Sequence, residues 1–230
     1  MNQKIHQNLK RVNRQIRELE NPETPVKLVV VTKTRTPKEI ASAISAGAKS
    51  IGENKIQEAE KKFPLVDNIK SIEKRFIGKL QTNKIKKAIN LFDTIDSVES
   101  LRVAKKISTA AYIAEKEQRI LIQINTSKEK NKSGFEVDNK KDILSCFALP
   151  NLKIEGMMTM GPADAKSDKI KKSFYLLKEI FNEINKEKIV INKMTEISMG
   201  MSGDFVLGIS CGSSMVRLGT AIFGERKPHA

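Results

Sequence analysis

The chain has no tryptophan, two histidines and two cysteines among its 230 residues. His6 and His229 lie close to opposite ends of the sequence, so we expect neither histidine acid–base chemistry nor a Ser-His pair. Cys146 and Cys211 lack the spacing of a zinc site or a disulfide framework, which is typical of a reducing cytoplasm. These scarcities predict a cytoplasmic protein without a metal site.

Long apolar runs and nucleotide-binding fingerprints are also missing. No stretch is apolar and long enough to cross a bilayer, and the N-terminus lacks the apolar core of a signal peptide. There is no Walker-type loop and no strand-linked Gly-x-Gly-x-x-Gly fingerprint. We therefore expect no membrane partner, and neither a P-loop nucleotidase nor a dinucleotide-binding domain.

Positive charge, in contrast, is abundant. The chain has 42 Lys and Arg against 27 Asp and Glu, a net charge of +15, which raises the alternative of a basic nucleic-acid-binding protein. The basic residues are, however, spread as Lys-Lys pairs over many helical patterns, and no aromatic residues are interleaved with them for base stacking. We expect no specific nucleic-acid partner, only weak attraction to polyanions.

The first twenty residues have the pattern of an amphipathic helix. The apolar residues recur every three or four positions and form one stripe, at Ile5, Leu9, Val12, Ile16 and Leu19. The stripe could form a dimeric coiled coil, but it is short for one. We expect the helix to pack on the main domain.

Beyond residue 20, short apolar runs alternate with helical patterns, which predicts βαβ units and a parallel sheet. The predicted strands are 27–32, 50–52, 75–78, 94–96, 119–125, 153–158, 196–199 and 215–218. The predicted helices are 37–48, 55–62, 83–90, 98–117, 140–148, 168–188 and 204–210. Eight strands is the number that closes a (β/α)8 TIM barrel, and an open doubly wound sheet is the alternative. Without a linker or repeat, 1–230 is expected to form a single domain.

Lys33 directly follows the apolar first strand and precedes a helix that Pro37 opens. An α/β barrel carries its reactive groups at the carboxyl ends of its strands. A partly desolvated lysine at such a position can lose its proton and form a Schiff base with an aldehyde. Taken alone, a lysine after a strand is more often a solvated loop residue.

The loops after predicted strands seven and eight have the composition of a phosphate site. Gly200, Gly203 and Gly219 let the backbone approach an anion, and Ser202 and Thr220 add hydroxyl donors. Barrels of this class frequently bind phosphate with these two loops, although a Gly-Met-Ser-Gly segment alone is usually an ordinary turn. An amine together with a phosphate site indicates a phosphorylated aldehyde, and pyridoxal 5′-phosphate (PLP) meets both requirements.

Several segments, in order along the chain, carry a family resemblance: 31–34, 47–58 with Gly52-Glu53-Asn54, 76–84, 122–134 with Lys132-Ser133-Gly134, 152–158, 198–202 and 212–224. Through them the chain resembles the pyridoxal phosphate homeostasis proteins, cytosolic cofactor binders related in fold to the N-terminal barrel of alanine racemase. The resemblance implies a fold-type III PLP barrel.

The resemblance also implies cofactor contacts. Lys33 would carry PLP as an internal aldimine, and Ser202, Gly219 and Thr220 would hold the phosphate. Strand alternation leaves the direction of Arg217 open, but by resemblance it would face the pyridine nitrogen.

By resemblance, Asn54 would line the pocket, and Met199 would pack against the ring. The chain departs from the family pattern in two places. Gly203 stands where an Asp is common, and Lys74-Arg75 replaces a usual Trp-His pair. We expect these departures to concern surface and loop details only.

The expected function is a PLP reservoir or carrier in vitamin B6 homeostasis, not an enzyme. A cationic Arg217 beside the pyridine nitrogen would disfavour its protonation and weaken the ring as an electron sink. The resembling racemases take a second base, a Tyr, from a further domain. Tyr112 and Tyr175 fall in helical patterns here, and we expect no such domain in this chain. We expect a monomer that serves apo PLP-dependent enzymes; a single-domain PLP racemase or lyase is the alternative.

Overall fold

The computed structural model describes residues 2–129, 131–163 and 165–225, and within them eight parallel strands close into a barrel in chain order. The strands are β1 Lys27–Val31, β2 Ser50–Glu53, β3 Glu73–Phe76, β4 Thr94–Val98, β5 Gln118–Gln123, β6 Leu152–Met158, β7 Glu196–Met201 and β8 Met215–Leu218. Because β1 pairs with both β2 and β8, the sheet has no free edge. The predicted (β/α)8 barrel is confirmed, and the open doubly wound sheet is excluded. His229, one of the two histidines, lies outside the described residues.

The helices alternate with the strands. They are α1 Gln3–Leu19, α2 Pro37–Ser45, α3 Ile56–Lys62, α4 Ile85–Leu91, α5 Leu101–Ile113, α6 Lys140–Cys146, α7 Ser167–Lys186, α8 Phe205–Ser210 and α9 Thr220–Phe223. At the start of α2, the Thr36 side chain accepts a hydrogen bond from the Glu39 backbone while the Glu39 carboxylate accepts from the Thr36 backbone. This capping box, with Pro37 at the first helical position, fixes where the helix after β1 begins.

Helix α1 packs on the barrel through four buried residues of its apolar stripe, Ile5, Leu9, Val12 and Ile16. Leu19 was expected to continue the stripe, but it lies in the last turn and remains 43% exposed. The Asn8 side chain donates a hydrogen bond of 2.9 Å to the backbone carbonyl of Ile222, which ties α1 to α9.

Arg75 corrects a sequence-based expectation. Lys74-Arg75 was expected to alter surface and loop details only, yet the Arg75 side chain is fully buried. Its guanidinium contacts the carboxylates of Asp96 at 3.1 Å and Glu196 at 2.6 Å, and therefore reaches from β3 to β4 and β7 across the barrel interior. The two carboxylates compensate a charge that could not otherwise be buried at this position.

Candidate functional site

A cavity of about 450 Å³ opens at the carboxyl ends of the strands. Its wall includes six of the seven residues that the sequence singled out: Lys33, Asn54, Ser202, Arg217, Gly219 and Thr220. They come from the ends of β1, β2, β7 and β8, which are distant in sequence and adjacent in the closed barrel. The size is within the range of small-molecule sites.

Lys33 lies in a tight turn at the end of β1. The Arg35 backbone N–H donates to the carbonyl oxygen of Thr32 at 3.0 Å, so that Lys33 and Thr34 are the two central residues of the turn. Lys33 is half-buried and lines the cavity. Thr34 has a φ of 63°, in the left-handed region that β-branched residues rarely adopt.

Backbone N–H and hydroxyl groups also converge in the part of the cavity wall that follows β7 and β8. The Ser202 hydroxyl accepts hydrogen bonds from the backbone N–H groups of Gly219 at 3.1 Å and Ala221 at 3.3 Å. Thr220 lies between these two residues and begins α9. A cluster of N–H and hydroxyl donors of this kind is the chemistry that binds a phosphate. Gly203 has no steric role, because a Cβ at this position would meet nothing within 4 Å.

Arg217 projects into the barrel interior and forms part of the cavity wall, although the sequence pattern left its direction open. Its guanidinium donates to the carbonyl and hydroxyl oxygens of Ser198 at 2.9 and 2.5 Å and to the carbonyl of Thr159 at 2.8 Å. Burial lowers the pKa of Arg217 to about 10, against the opposing effect of Asp96 and Asp204. The side chain is therefore a fixed cation at neutral pH.

The interior beneath Arg217 contains further charged groups. Asp96 is fully buried between strands; its Oδ1 accepts from Arg75, whereas its Oδ2 has no hydrogen-bond partner among the described residues. Burial raises the pKa of Asp96 to about 6, Glu196 adds to the increase, and the positive charges of Arg75 and Arg217 oppose it. Glu196 also pairs with Lys27 at the start of β1. Charged groups thus extend from the amino ends of the strands to the cavity.

Asn54 approaches the neighbouring loop closely. A Cβ at Gly78 would lie 2.1 Å from the backbone carbonyl oxygen of Asn54, so only glycine fits where the chain after β3 passes the chain after β2. Gly78 and Asn54 both line the cavity. The glycine therefore has a structural function in shaping this wall.

Met199 is the seventh residue singled out, and the structure places it away from the cavity. It is fully buried in the hydrophobic core and does not line the wall. Three other methionines do: Met158, Met160 and Met201. Met201 lies two positions beyond Met199 on the same strand.

Two cations in the cavity wall were missed by the sequence reading. Arg35 follows the turn of Lys33, and Lys79 follows β3. Both lie in loops after strands, which is the signal that could have found them. The abundance of basic residues hid it, because 42 Lys and Arg made any one of them unremarkable.

Metal and membrane features are not found among the described residues. No group of three His, Cys, Asp or Glu in this part of the chain could hold a metal ion. No helix in it is long and apolar enough to cross a membrane.

Comparison with known sequences gives consistent matches over almost the whole chain. The model of the alanine racemase N-terminal domain matches residues 3–227. The pyridoxal phosphate homeostasis protein of Synechocystis is 39% identical over 202 residues, which cover 87% of this chain and 92% of that protein. The protein of the same name from Aquifex aeolicus is 34% identical over 220 residues, or 95% of each chain.

Solved structures show the same fold. PipY of Synechococcus elongatus with PLP bound superposes with a TM-score of 0.85 at 28% identity, over 96% of this chain and all of that chain. Alanine racemase of Clostridium difficile superposes with a TM-score of 0.76 at 17% identity, over 97% of this chain but 57% of that chain. The likeness to the racemase is therefore one of barrel fold.

Proposed function

Because the chain belongs to the pyridoxal phosphate homeostasis protein family, we propose that it binds PLP in the barrel cavity and serves in PLP homeostasis. The observation that carries the proposal is that one cavity brings together an amine, Lys33, and a set of phosphate-type donors at Ser202 and Gly219. The relative PipY has a structure with PLP bound, which supports the same ligand for this cavity.

The residues present fit the three polar features of PLP. Lys33 at the end of β1 supplies an amine for the aldehyde, and we propose an internal aldimine there: the Lys33 nitrogen bonds to the aldehyde carbon and one water leaves. Ser202, Gly219 and Thr220 supply donors for the phosphate. Arg217 supplies a fixed cation for the pyridine nitrogen, beside the wall that Asn54 contributes. Met199 is left out of this set, because it is not among the residues that line the cavity.

We propose further that the protein is a reservoir or carrier rather than an enzyme, and that it acts in the cytoplasm as a monomer that serves apo PLP-dependent enzymes. The Arg217 guanidinium, fixed by Ser198 and Thr159, would disfavour protonation of the pyridine nitrogen, so bound PLP would be a weak electron sink. Tyr112 and Tyr175 are both largely exposed on helices, and neither lines the cavity. No tyrosine thus stands ready as the second base that racemisation needs.

Absorption spectroscopy tests the proposal directly. Wild-type protein mixed with PLP should develop the visible band of a lysine-linked aldehyde, and borohydride should remove the band and leave the cofactor on the Lys33 peptide by mass spectrometry. Lys33→Ala should show no such band. Lys79→Ala is the matched control, because Lys79 also lines the cavity but is largely exposed. Identical colourless spectra for wild type and Lys33→Ala would refute the Schiff-base assignment.

A further inference from the structure

The turn that carries Lys33 is strained. Its third residue, Thr34, has a φ of 63°, and a positive φ at that place in a turn normally requires glycine or asparagine. A β-branched residue persists in this region only where the surrounding structure holds it. Thr34 is exposed, so packing of its own side chain does not hold it.

A buried ion cluster lies directly behind this turn. It consists of Lys62 at the end of α3, Glu53 at the end of β2, and Glu58 within α3. The Lys62 ammonium donates to the carboxylates of Glu53 at 2.6 Å and Glu58 at 2.8 Å. The Lys62 and Glu53 side chains are 10% and 0% exposed, so the pair is shielded from water.

The remaining hydrogen bonds of this cluster go to the two residues that flank Lys33. On one side, Lys62 donates its third hydrogen bond to the Thr32 carbonyl at 2.9 Å, and the Thr32 hydroxyl donates to Glu53 at 2.6 Å. On the other side, the Thr34 backbone N–H donates to Glu58 at 2.6 Å. The two peptide groups on either side of Lys33 are thereby hydrogen-bonded to one cluster.

The pKa shifts of Glu53 and Glu58 reflect these contacts. Burial raises the pKa of Glu58, but hydrogen bonds from Lys62 and from the Thr34 N–H outweigh it and lower the pKa overall. Burial raises the pKa of Glu53, and Lys62 opposes the increase. Since buried ion pairs are often no more stabilising than apolar residues of similar volume, stability alone does not account for the cluster.

We propose that Lys62, Glu53 and Glu58 are positioning residues that hold the strained Thr34 turn and thereby direct the Lys33 amine into the cavity. The inference rests on the proposed function, since Lys33 is the residue that would react with the PLP aldehyde. Misplacing a reacting group by about 1 Å can cost roughly a hundredfold in rate. The cluster is therefore expected to act on the rate of linkage at Lys33, in addition to the loss of stability that follows when one partner of a buried ion pair is removed.

The test measures how fast the visible band forms when the full chain is mixed with PLP, at concentrations below saturation. Lys62→Met removes all three hydrogen bonds of the ammonium and should lower the rate at which the band forms by about tenfold or more. Adding Thr34→Gly to Lys62→Met should recover much of the lost rate, because glycine adopts a positive φ without strain. Recovery by a glycine in the turn is a result that a merely structural role for Lys62 would not produce.

Two controls separate this from a general loss of stability. Lys87→Met removes an exposed ion pair between α4 and Glu60 of α3, the helix that also contains Lys62, and should leave the rate unchanged. Ile143→Ala creates a cavity in the core beneath α6, the helix that contains Ile143. It should lower the melting temperature without lowering the rate at which the band forms. If Lys62→Met does not fold, Glu58→Ala takes its place in the test. This substitution removes only the hydrogen bond from the Thr34 N–H and one of the partners of Lys62.

Unchanged rates in Lys62→Met and Glu58→Ala, with a normal band in wild type, would overturn the positioning role and leave the proposed function intact. A variant with both Lys62→Met and Thr34→Gly that reacts as slowly as Lys62→Met would also overturn the positioning role, because strain in the turn would then not explain how the cluster affects Lys33. No band in wild type would overturn the proposed function and this inference together.

Discussion

At the scale of single residues, the carboxylate of Asp96 shows how the barrel interior tolerates charge. It lies among two arginines and a second carboxylate, Arg75, Arg217 and Glu196, and one of its oxygens lacks a hydrogen-bond partner in the described structure. Burial dominates over the arginines, so the pKa of Asp96 is raised to about 6. The group is therefore protonated in the folded protein at a pH where it is ionised in the unfolded chain.

This shift gives a pH-dependent stability with a definite sign. Because the folded-state pKa is raised, Asp96 contributes stability below its unfolded pKa of 3.8 and loses it as pH rises toward about 6. Asp96→Asn cannot titrate. Relative to wild type, the unfolding free energy of the variant should rise by about 3 kcal/mol between pH 3 and pH 7, as an upper estimate from the shift of the Asp96 pKa. Urea unfolding of both proteins across this range measures the difference. A constant difference would mean that Arg75 holds the folded-state pKa of Asp96 near its unfolded value.

The sequence predicted residues that follow strands better than residues that pair inside the barrel. Lys33 was singled out because an apolar run ends just before it, and in a barrel the carboxyl end of a strand is where reactive groups lie. Arg75 was taken for a surface residue because its counter-charges come from β4 and β7, far along the chain. Lys62 was read as one of many Lys-Lys pairs, and only the fold brings it behind the turn.

At the scale of elements, α1 supports from outside the part of the cavity wall where we propose that the phosphate binds. Its apolar stripe packs on the barrel, and the Asn8 side chain binds the carbonyl of Ile222 within α9. Helix α9 begins at Thr220, which lines the cavity. The N-terminal helix therefore supports an element that the sequence reading did not predict.

The packing of α1 can be measured with two leucines of the same helix. Leu9→Ala should lower the unfolding free energy by about 2–5 kcal/mol, because Leu9 is fully buried. Leu19→Ala, at a position 43% exposed, should change it by about 0.5 kcal/mol or less. Urea unfolding followed by circular dichroism provides both values. Equal effects at the two positions would argue against the observed packing of α1.

Element boundaries show where periodicity stops being informative. All predicted strands exist, but α5 ends at Ile113 instead of 117, because Glu115 takes a φ of 49° and breaks the helix. Helix α9 has four residues, too few for a helical pattern to repeat. Backbone conformations such as that of Glu115 carry no sequence signal, since a non-glycine residue occupies the position.

At the scale of the whole molecule, barrel closure creates the site. β1 and β8 are at opposite ends of the sheet in sequence, yet they pair, with Val30 opposite Leu218. This pairing places the turn of Lys33 beside Gly219 and Thr220, so that amine and phosphate donors share one cavity. Strand count suggested closure, but only the pairing of the first and last strands distinguishes a barrel from an open sheet.

A site built from loops that follow both the first and the last strands of the barrel should couple ligand binding to the stability of the entire fold. A ligand at a hundred times its dissociation constant adds about 2.7 kcal/mol to the unfolding free energy. For a chain of this length, each kcal/mol shifts the melting temperature by about 2–4 °C, so saturating PLP should raise it by about 5–11 °C. Lys33→Ala, which retains the phosphate donors, should show a smaller increase.

Calorimetry of the full chain with and without PLP decides whether the effect reaches every element. If 1–230 forms one domain, a single unfolding peak should move as a whole, because α1, α9 and the strands unfold together. A peak that splits on PLP addition, with one part unshifted, would mean that some elements unfold independently of the closed barrel. The Leu9→Ala variant sharpens the comparison: within one cooperative unit, its loss of stability should lower the melting temperature by the same amount with and without saturating PLP.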